Sequence, residues 1–161
     1  MSRLVGDLSD GELETFAKNY RDQGRITGGK FSLSELLLEK LRRTPCSASG
    51  ADVTKFIIDK GKLANDGKVT YLEVWSNFFE NQPWKGNHSL REVGGLLDRA
   101  IAYCIDSGLP IVTTIVVQTG SRSLTQAAKK NIAMRCKELG VDVGHVPEAF
   151  VDSEAARTLS V

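Results

Sequence analysis

The segment from Lys68 to Leu97, KVTYLEVWSNFFENQPWKGNHSLREVGGLL, contains the pattern that decides the fold. It opens with a β-branched step, continues into a helix that Thr70 can cap, and then runs through a loop rich in aromatic residues. A second amphipathic segment follows, which Ser89 can cap and which carries Arg91 in its first turn. This order predicts a helix-turn-helix inside a winged-helix unit.

The same type of helix start recurs along the chain. A Ser or Thr followed three positions later by an acid or amide can satisfy two unpaired backbone donors reciprocally. Such pairs are Ser9 with Glu12, Ser32 with Glu35, Ser49 with Asp52, Thr70 with Glu73, Ser89 with Glu92 and Ser123 with Gln126. Apolar residues at helical spacing follow each pair, which predicts helices near 9–23, 33–44, 50–63, 71–80, 89–107 and 124–139, with a short one after Pro147.

The best candidate for a strand is LPIVTTIVVQ, residues 109–118, because it is rich in β-branched residues and ends at a Thr-Gly turn. Residues 68–70 could pair with it. The Gly28-Gly29 step predicts a flexible joint and a boundary near residue 30. We therefore expect an α+β, mostly helical chain with an N-terminal helical extension (1–30) and a winged helix-turn-helix-like domain with additional flanking helices (31–161).

Composition is that of an ordinary globular protein. The 161 residues carry a net charge of +1, with 41% hydrophobic and 25% charged residues, so any nucleic-acid contact must come from local clustering of cations.

Cys46, Cys104 and Cys136 form no C-x-x-C pair, which indicates free thiols and a cytoplasmic location. No apolar run approaches the length of a membrane span. Two histidines without carboxylates at ligand spacing predict no metal site, and no cofactor is expected.

The predicted recognition helix, 89–107, would point its first turn toward a groove and pack Leu90, Val93, Leu97 and Ile101 inward. A wing-like turn at 119–123 would bring a further cation to the flanking backbone. Arg91 could instead form a surface ion pair with a nearby acid such as Glu92. The residues expected to contact DNA from this arrangement are Lys85, His88, Ser89, Arg91 and Arg122.

Two further features of this region have competing interpretations. Gly94-Gly95 inside a helix predicts a close approach by the helix at 71–80, through Trp75 or Phe78, unless the second helix begins only near Leu96. Trp84 either anchors the loop 79–88 on the core or stacks on an exposed base or a partner protein.

Three stretches together resemble the DNA-binding domain of the O6-alkylguanine alkyltransferases and their alkyltransferase-like relatives. They are GADVTKFIIDKGKLANDGKVTYLEV, SLREVGGLL and LPIVTTIVVQTGS, within residues 50–140. The family shows a V-T-Y-x-x-[VL] helix start, an R-x-V-G-x-x-L recognition helix and an apolar strand before a glycine turn. The resemblance implies that Tyr71 rotates the phosphate backbone and that Arg91 fills the space left by a flipped nucleotide.

The chain departs from that family at the reactive position. The family's Pro-Cys-His-Arg motif, whose cysteine accepts the alkyl group, is replaced by Val112-Thr113-Thr114-Ile115. A threonine hydroxyl without an activating base is a poor nucleophile, and Cys104 is read as a small core residue. No other catalytic motif is found. The leading interpretation is therefore a non-catalytic protein that binds double-stranded DNA.

The alternative is a protein-protein interaction module, such as a regulatory or a phage or plasmid accessory protein. It would use the aromatic loop 79–88 and the leucine-rich helix 33–44, SLSELLLEKL, which carries more leucine than one buried face needs. The near-neutral charge favours this alternative. Helix 33–44 could also support a homodimer, or it could simply be a core helix buried on two sides.

Overall fold

The chain is mostly helical with one small sheet, as the α+β class predicts. The computed structural model describes residues 3–161. Within them lie the helices α1 (Asp10–Asp22), α2 (Leu33–Arg43), α3 (Gly50–Leu63), α4 (Tyr71–Phe78), α5 (Asn87–Ser107), α6 (Gln126–Glu138) and α7 (Pro147–Leu159). The strands β1 (Val69–Thr70) and β2 (Val116–Val117) form a two-stranded sheet, and short 3₁₀ helices cover Val5–Asp7 and Val112–Ile115. Every predicted helix is therefore confirmed.

The predicted caps account for the starts of α1 to α4. Ser9, Ser32 and Thr70 each accept a hydrogen bond from the backbone N–H three residues ahead, and the glutamate at that position accepts one in return. Ser49 accepts from the Asp52 N–H without the reciprocal bond. These contacts satisfy amide groups that have no acceptor inside the helix, so the chain leaves the extended conformation at defined residues.

The predicted starts of α5 and α6 are wrong. α5 begins at Asn87, with Gly86 as its N-cap at φ +56°, and Ser89 lies inside the helix. α6 begins at Gln126, and Thr125 rather than Ser123 accepts from the Ala128 N–H at 3.1 Å. Both errors have the same cause: when several Ser, Thr or Gly residues precede a helix, the packing of the helix selects which one becomes its cap.

Most of the predicted strand at 109–118 is also wrong. Val112–Ile115 form a 3₁₀ helix, and only Val116–Val117 of this segment form a strand. The carbonyl of Ile111 accepts from both the amide and the hydroxyl of Thr114, at 3.2 and 2.7 Å, which closes a local turn in place of a ladder. The β-branched residues here lie in a fully buried segment. The strand preference of such residues depends on how they pack and is not fixed by the backbone alone.

The expected short strand near residues 68–70 is present and pairs in parallel with β2. Val69 aligns with Val116 and Thr70 with Val117. The residues after β2 form a turn at 119–121 and add no strand within the described part of the chain. A wing built as an antiparallel hairpin is therefore not seen among residues 3–161, and the winged-helix form of the core stays a proposal.

The chain divides into two compact units. The first comprises Met1–Pro45 with Cys136–Asp142, and the second comprises Cys46–Arg135 with Val143–Val161. This division differs from the expected boundary near residue 30, because α2 packs on α1. Leu8, Leu13 and Leu36 form the buried cluster of the first unit. The Gly28-Gly29 step lies in a hydrogen-bonded turn, in which the Gly29 N–H donates to the Tyr20 hydroxyl at 2.7 Å.

The core of the second unit forms where α3, α5 and the Val112–Ile115 segment meet. Val53 and Ile57 of α3 and Val93 and Cys104 of α5 are completely buried. α3 and α5 approach so closely that a Cβ on Gly50 would lie 2.3 Å from the carbonyl oxygen of Arg99. Glycine is therefore required at the start of α3.

The close approach expected at Gly94-Gly95 is not observed. Both residues lie inside α5, so the interpretation that the helix begins only near Leu96 is wrong. A Cβ placed on either glycine would meet nothing within 4 Å, and neither Trp75 nor Phe78 reaches them. This part of α5 is open on that side.

Candidate nucleic-acid interface

The loop between α4 and α5 folds around Trp75. The indole of Trp75 is buried and donates to the carbonyl of Gln82 at 2.8 Å. Phe79 stacks on it with ring centroids 4.2 Å apart, and Trp84 contacts it edge-on at 5.9 Å. Trp84 thus anchors the loop, as one of the two sequence interpretations predicts, while 37% of its surface stays exposed. The aromatic core gives the residues before α5 a defined position.

The N-terminal end of α5 has no side-chain cap. Gly86 offers no side chain, and the first α-helical bond runs from the Leu90 N–H to the Gly86 carbonyl at 3.0 Å. The amides of Asn87, His88 and Ser89 therefore have no acceptor within the helix. The first turn contains no acidic residue. The positive end of the helix dipole is left without a negative side chain in that turn.

Ser89 is not the outward-facing residue that the sequence interpretation made it. It is fully buried, and its hydroxyl accepts from the Lys85 N–H at 2.7 Å. Leu90, expected to pack inward, is 45% exposed, whereas Val93 and Ile101 are buried as expected. The inward stripe of α5 runs through Ser89, Val93, Leu96, Ala100 and Cys104, so the buried face is rotated relative to the one predicted. Ser89 positions the loop rather than meeting a ligand.

Three of the predicted contact residues surround this end of α5. Lys85, His88 and Arg91 are exposed, and the ion pairs found within residues 3–161 include none of them. The ion pair with a nearby acid such as Glu92, which was the alternative role for Arg91, is not among them. His88 also contacts the edge of the Trp75 ring, with centroids 6.5 Å apart. Lys85, His88 and Arg91 are thus exposed together near the start of α5, and their contact with DNA stays a prediction.

Five other cations of the second unit are paired with acids. Ion pairs join Lys55 to Asp59, Lys60 to Glu73, Lys129 to Asp152, Arg135 to Asp98 and Arg157 to Glu154. Each pairing lowers the positive potential that a surface can offer to phosphate. The net charge of +1 is thus unevenly distributed, and the start of α5 is a place where positive charge stands without a bound acid.

Arg122, for which the sequence predicted a phosphate contact, is held in an ion pair with Asp66. Its guanidinium holds both carboxylate oxygens of Asp66, at 2.7 and 2.8 Å, and donates to the Lys68 carbonyl at 3.3 Å. The Lys68 ammonium in turn donates to the Arg122 carbonyl. This paired geometry holds the pKa of Asp66 well below its usual range and raises the pKa of Arg122. The turn at 119–123 is therefore fastened to the segment before β1.

Asp66 is the residue that sequence reasoning missed. It is 56 positions from Arg122, and the only local signal is the Asn65-Asp66-Gly67 turn pattern, which indicates a bend and names no partner.

Tyr71 is the first residue of α4, directly after β1, and is half-buried. Burial raises the pKa of its phenol, which therefore stays uncharged at neutral pH. The structure thus brings Lys85, His88, Ser89 and Arg91 together at one helix end. Tyr71 lies at the β1–α4 junction and Arg122 beside Asp66.

The positions where nucleophilic chemistry was considered are buried. Val112, Thr113, Thr114 and Ile115 are all inaccessible. Cys104 is completely buried, and burial raises the pKa of its thiol, so its assignment to the core is confirmed.

Within residues 3–161, no three His, Cys, Asp or Glu side chains are grouped as a metal site would need. Nor is any helix of that range both long and apolar enough to cross a bilayer.

The leucine-rich helix of the alternative interpretation is α2, in the first unit. Leu33 and Leu36 are buried, whereas Leu38 is 47% exposed. Glu39, also buried, receives hydrogen bonds from Arg42 and Arg43, which lower its pKa to about 2. Packing inside the chain therefore buries two of the five leucines of α2, while Leu37 and Leu41 are partly buried.

Comparison with protein-family models, with curated proteins and with solved structures found no match. The function must accordingly be argued from the geometry and from the resemblance carried by residues 50–140.

Proposed function

We propose that this chain is a non-catalytic protein that binds double-stranded DNA with the N-terminal end of α5 and the loop before it. The observation that carries the proposal is the uncapped start of α5, flanked by the exposed Lys85, His88 and Arg91. Free amide groups and a positive helix end are well suited to phosphate oxygens. Ser89 and Arg122 lie outside this proposed surface, because their polar groups are bound within the chain.

The family resemblance supports the same surface. It assigns the entry into the duplex to Arg91, which is exposed near the start of α5, and a backbone contact to Tyr71 at the start of α4. The absence of the Pro-Cys-His-Arg motif favours binding without alkyl transfer. A cytoplasmic location belongs to the same proposal and is supported by three free cysteines.

The test is a titration of a short fluorescein-labelled DNA duplex, followed by anisotropy at two salt concentrations. With two permanent cations at the interface, affinity should fall about tenfold between about 50 mM and about 200 mM salt. Arg91→Ala should weaken binding and reduce the magnitude of the logarithmic salt slope by about one. Lys85→Ala should behave in the same way.

The matched control is Lys62→Ala, which removes the same charge from an exposed position near the end of α3. It should leave affinity nearly unchanged. Absence of binding at low salt would contradict the proposal. Equal weakening by Lys62→Ala and Arg91→Ala would show general charge attraction in place of a defined surface.

A second candidate function, binding of a protein partner through the loop 79–88, is favoured by two exposed apolar side chains. Trp84 and Leu90 are 37% and 45% exposed at the same end of α5. A partner bound there would depend on Trp84 more than on Arg91, and its affinity would change little with salt. The DNA titration therefore discriminates between the two functions.

A further inference from the structure

The first unit contains a cavity of about 230 Å³ that neither DNA binding nor the sequence motifs explain. Its apolar wall consists of Leu8, Phe16, Tyr20, Phe31 and Leu36, and every residue lining it belongs to the first unit. Leu8 and Leu36 are buried, whereas Phe16 is 37% exposed at the opening. The cavity is thus a recess in a small core, open on one side.

The wall formed by residues 25–31 is fixed by hydrogen bonds to Tyr20. The Gly29 N–H donates to the Tyr20 hydroxyl at 2.7 Å, and that hydroxyl donates to the Phe31 carbonyl. A Cβ on Gly29 would lie 2.6 Å from the same hydroxyl oxygen, and Gly28 has φ +115°. Two adjacent glycines are therefore needed to lay this segment against α1. The recess is preformed, which lowers the entropy cost of filling it.

The opening of the cavity has an uncompensated positive charge. The Lys30 ammonium lies 5.5 Å from the centre of the Phe31 ring, and the ion pairs found within residues 3–161 do not include it. Arg3 also lines the cavity, but Glu12 neutralises it through bonds of 2.8 and 2.9 Å. The remaining polar lining is the uncharged amides of Asn19 and Gln23. This arrangement of an apolar wall with one cation at its mouth complements an apolar body with one anionic group.

We propose that this cavity binds a small amphipathic monocarboxylate, with its apolar part against Phe16, Tyr20 and Leu36 and its carboxylate beside Lys30. A dry cavity of about 150 Å³ is sufficient for benzene. The larger recess therefore accommodates an aromatic ring with a short acidic chain, or an aliphatic acid of similar size. Asn19 and Gln23 can donate to the same carboxylate. This proposal is independent of DNA binding.

The test uses 3-phenylpropionate and its uncharged analogue 3-phenylpropanamide as probes for the full chain. Backbone amide shifts in a two-dimensional ¹H–¹⁵N spectrum locate each probe and give its Kd. The carboxylate should bind with a Kd of about 1 mM or tighter, and should shift residues 16–36. The amide should bind about fivefold more weakly, because it lacks the attraction to Lys30.

Three variants complete the design. Lys30→Gln should remove the preference for the carboxylate, and Phe16→Ala should weaken both probes alike. Lys18→Gln, on α1 but outside the cavity, should change neither. The proposal is overturned if neither probe shifts the lining residues, or if Lys30→Gln keeps the wild-type preference.

Discussion

Arg122 has a backbone conformation and a partner that together assign it a structural role. Its φ of +49° lies in the left-handed region, which is unfavourable for a residue with a Cβ. The paired bonds to Asp66 offset that cost and join two turns that are far apart in sequence. A bidentate arginine is hard to replace, because lysine cannot hold both carboxylate oxygens at once.

We expect Arg122→Ala to lower the urea midpoint of unfolding while leaving DNA affinity unchanged. The ordinary pKa of Asp66 is near 3.8 and the folded value is lower, so the pair contributes stability above that pH. The contribution is lost as pH falls through the lowered folded value. The midpoint difference between wild type and variant should therefore be full at pH 7 and shrink in acid.

Asp66→Asn provides the matched change on the other partner. The double variant should lose little more than either single variant, because both remove the same interaction. Strictly additive losses, or a loss of DNA affinity in Arg122→Ala alone, would contradict the structural role.

The open surface of α5 at Gly94-Gly95 allows a prediction at the scale of the element. Glycine within a helix is less stable than alanine by about 1 kcal/mol, and here a Cβ would meet nothing within 4 Å. Gly94→Ala and Gly95→Ala should each raise the free energy of unfolding by about 1 kcal/mol, measured by urea denaturation.

Gly50→Ala is the control for this prediction. The added Cβ would lie 2.3 Å from the Arg99 carbonyl oxygen, so the substitution should destabilise the protein although it raises helix propensity. A neutral or destabilising effect at both Gly94 and Gly95 would indicate that something in the free protein does approach that face of α5.

Local sequence predicted the helices well because their caps are local. Ser9, Ser32 and Thr70 define helix starts through contacts spanning only three residues. The orientation of α5 could not be predicted in the same way. Its packing on the core, which involves residues far apart in sequence, buries Ser89 and leaves Leu90 exposed. All the predicted helices exist. The difference in which face of α5 is buried is what changed the candidate site.

The predicted strand at 109–118 and the predicted role of Arg122 differ from the structure for another reason. The 3₁₀ conformation of Val112–Ile115 depends on a turn closed by the Thr114 hydroxyl and on burial by elements that are distant in sequence. The role of Arg122 depends on Asp66, which no local pattern associates with it. By contrast, Lys85, His88 and Arg91 stayed exposed as expected, because charged and polar residues in a loop and first helical turn seldom become buried.

At the scale of the whole molecule, the cysteines provide a separate probe of each unit. Cys46 is exposed, whereas Cys104, in the second unit, and Cys136, in the first, are buried. In the native protein only Cys46 should therefore react rapidly with a thiol reagent. The first unit has only about fifty residues and a small core, so we expect Cys136 to become reactive at a lower urea concentration than Cys104.

Alkylation at increasing urea concentration, followed by peptide mass spectrometry, measures the three sites in one sample. Cys46→Ser removes the fast reaction and serves as the control. Simultaneous exposure of Cys104 and Cys136 would instead show that the two units unfold as one cooperative body.

The parallel pairing of Val69 with Val116 sets an order of events in time. The 45 residues from 71 to 115, including all of α4 and α5, separate the two strands, so this short ladder closes a long loop for very few bonds. We expect α4 and α5 to form before the strands pair, because their contacts are local and the pairing must close a long loop. A nascent chain released before residue 117 would hold its helix-forming segments without the closure that completes the second unit.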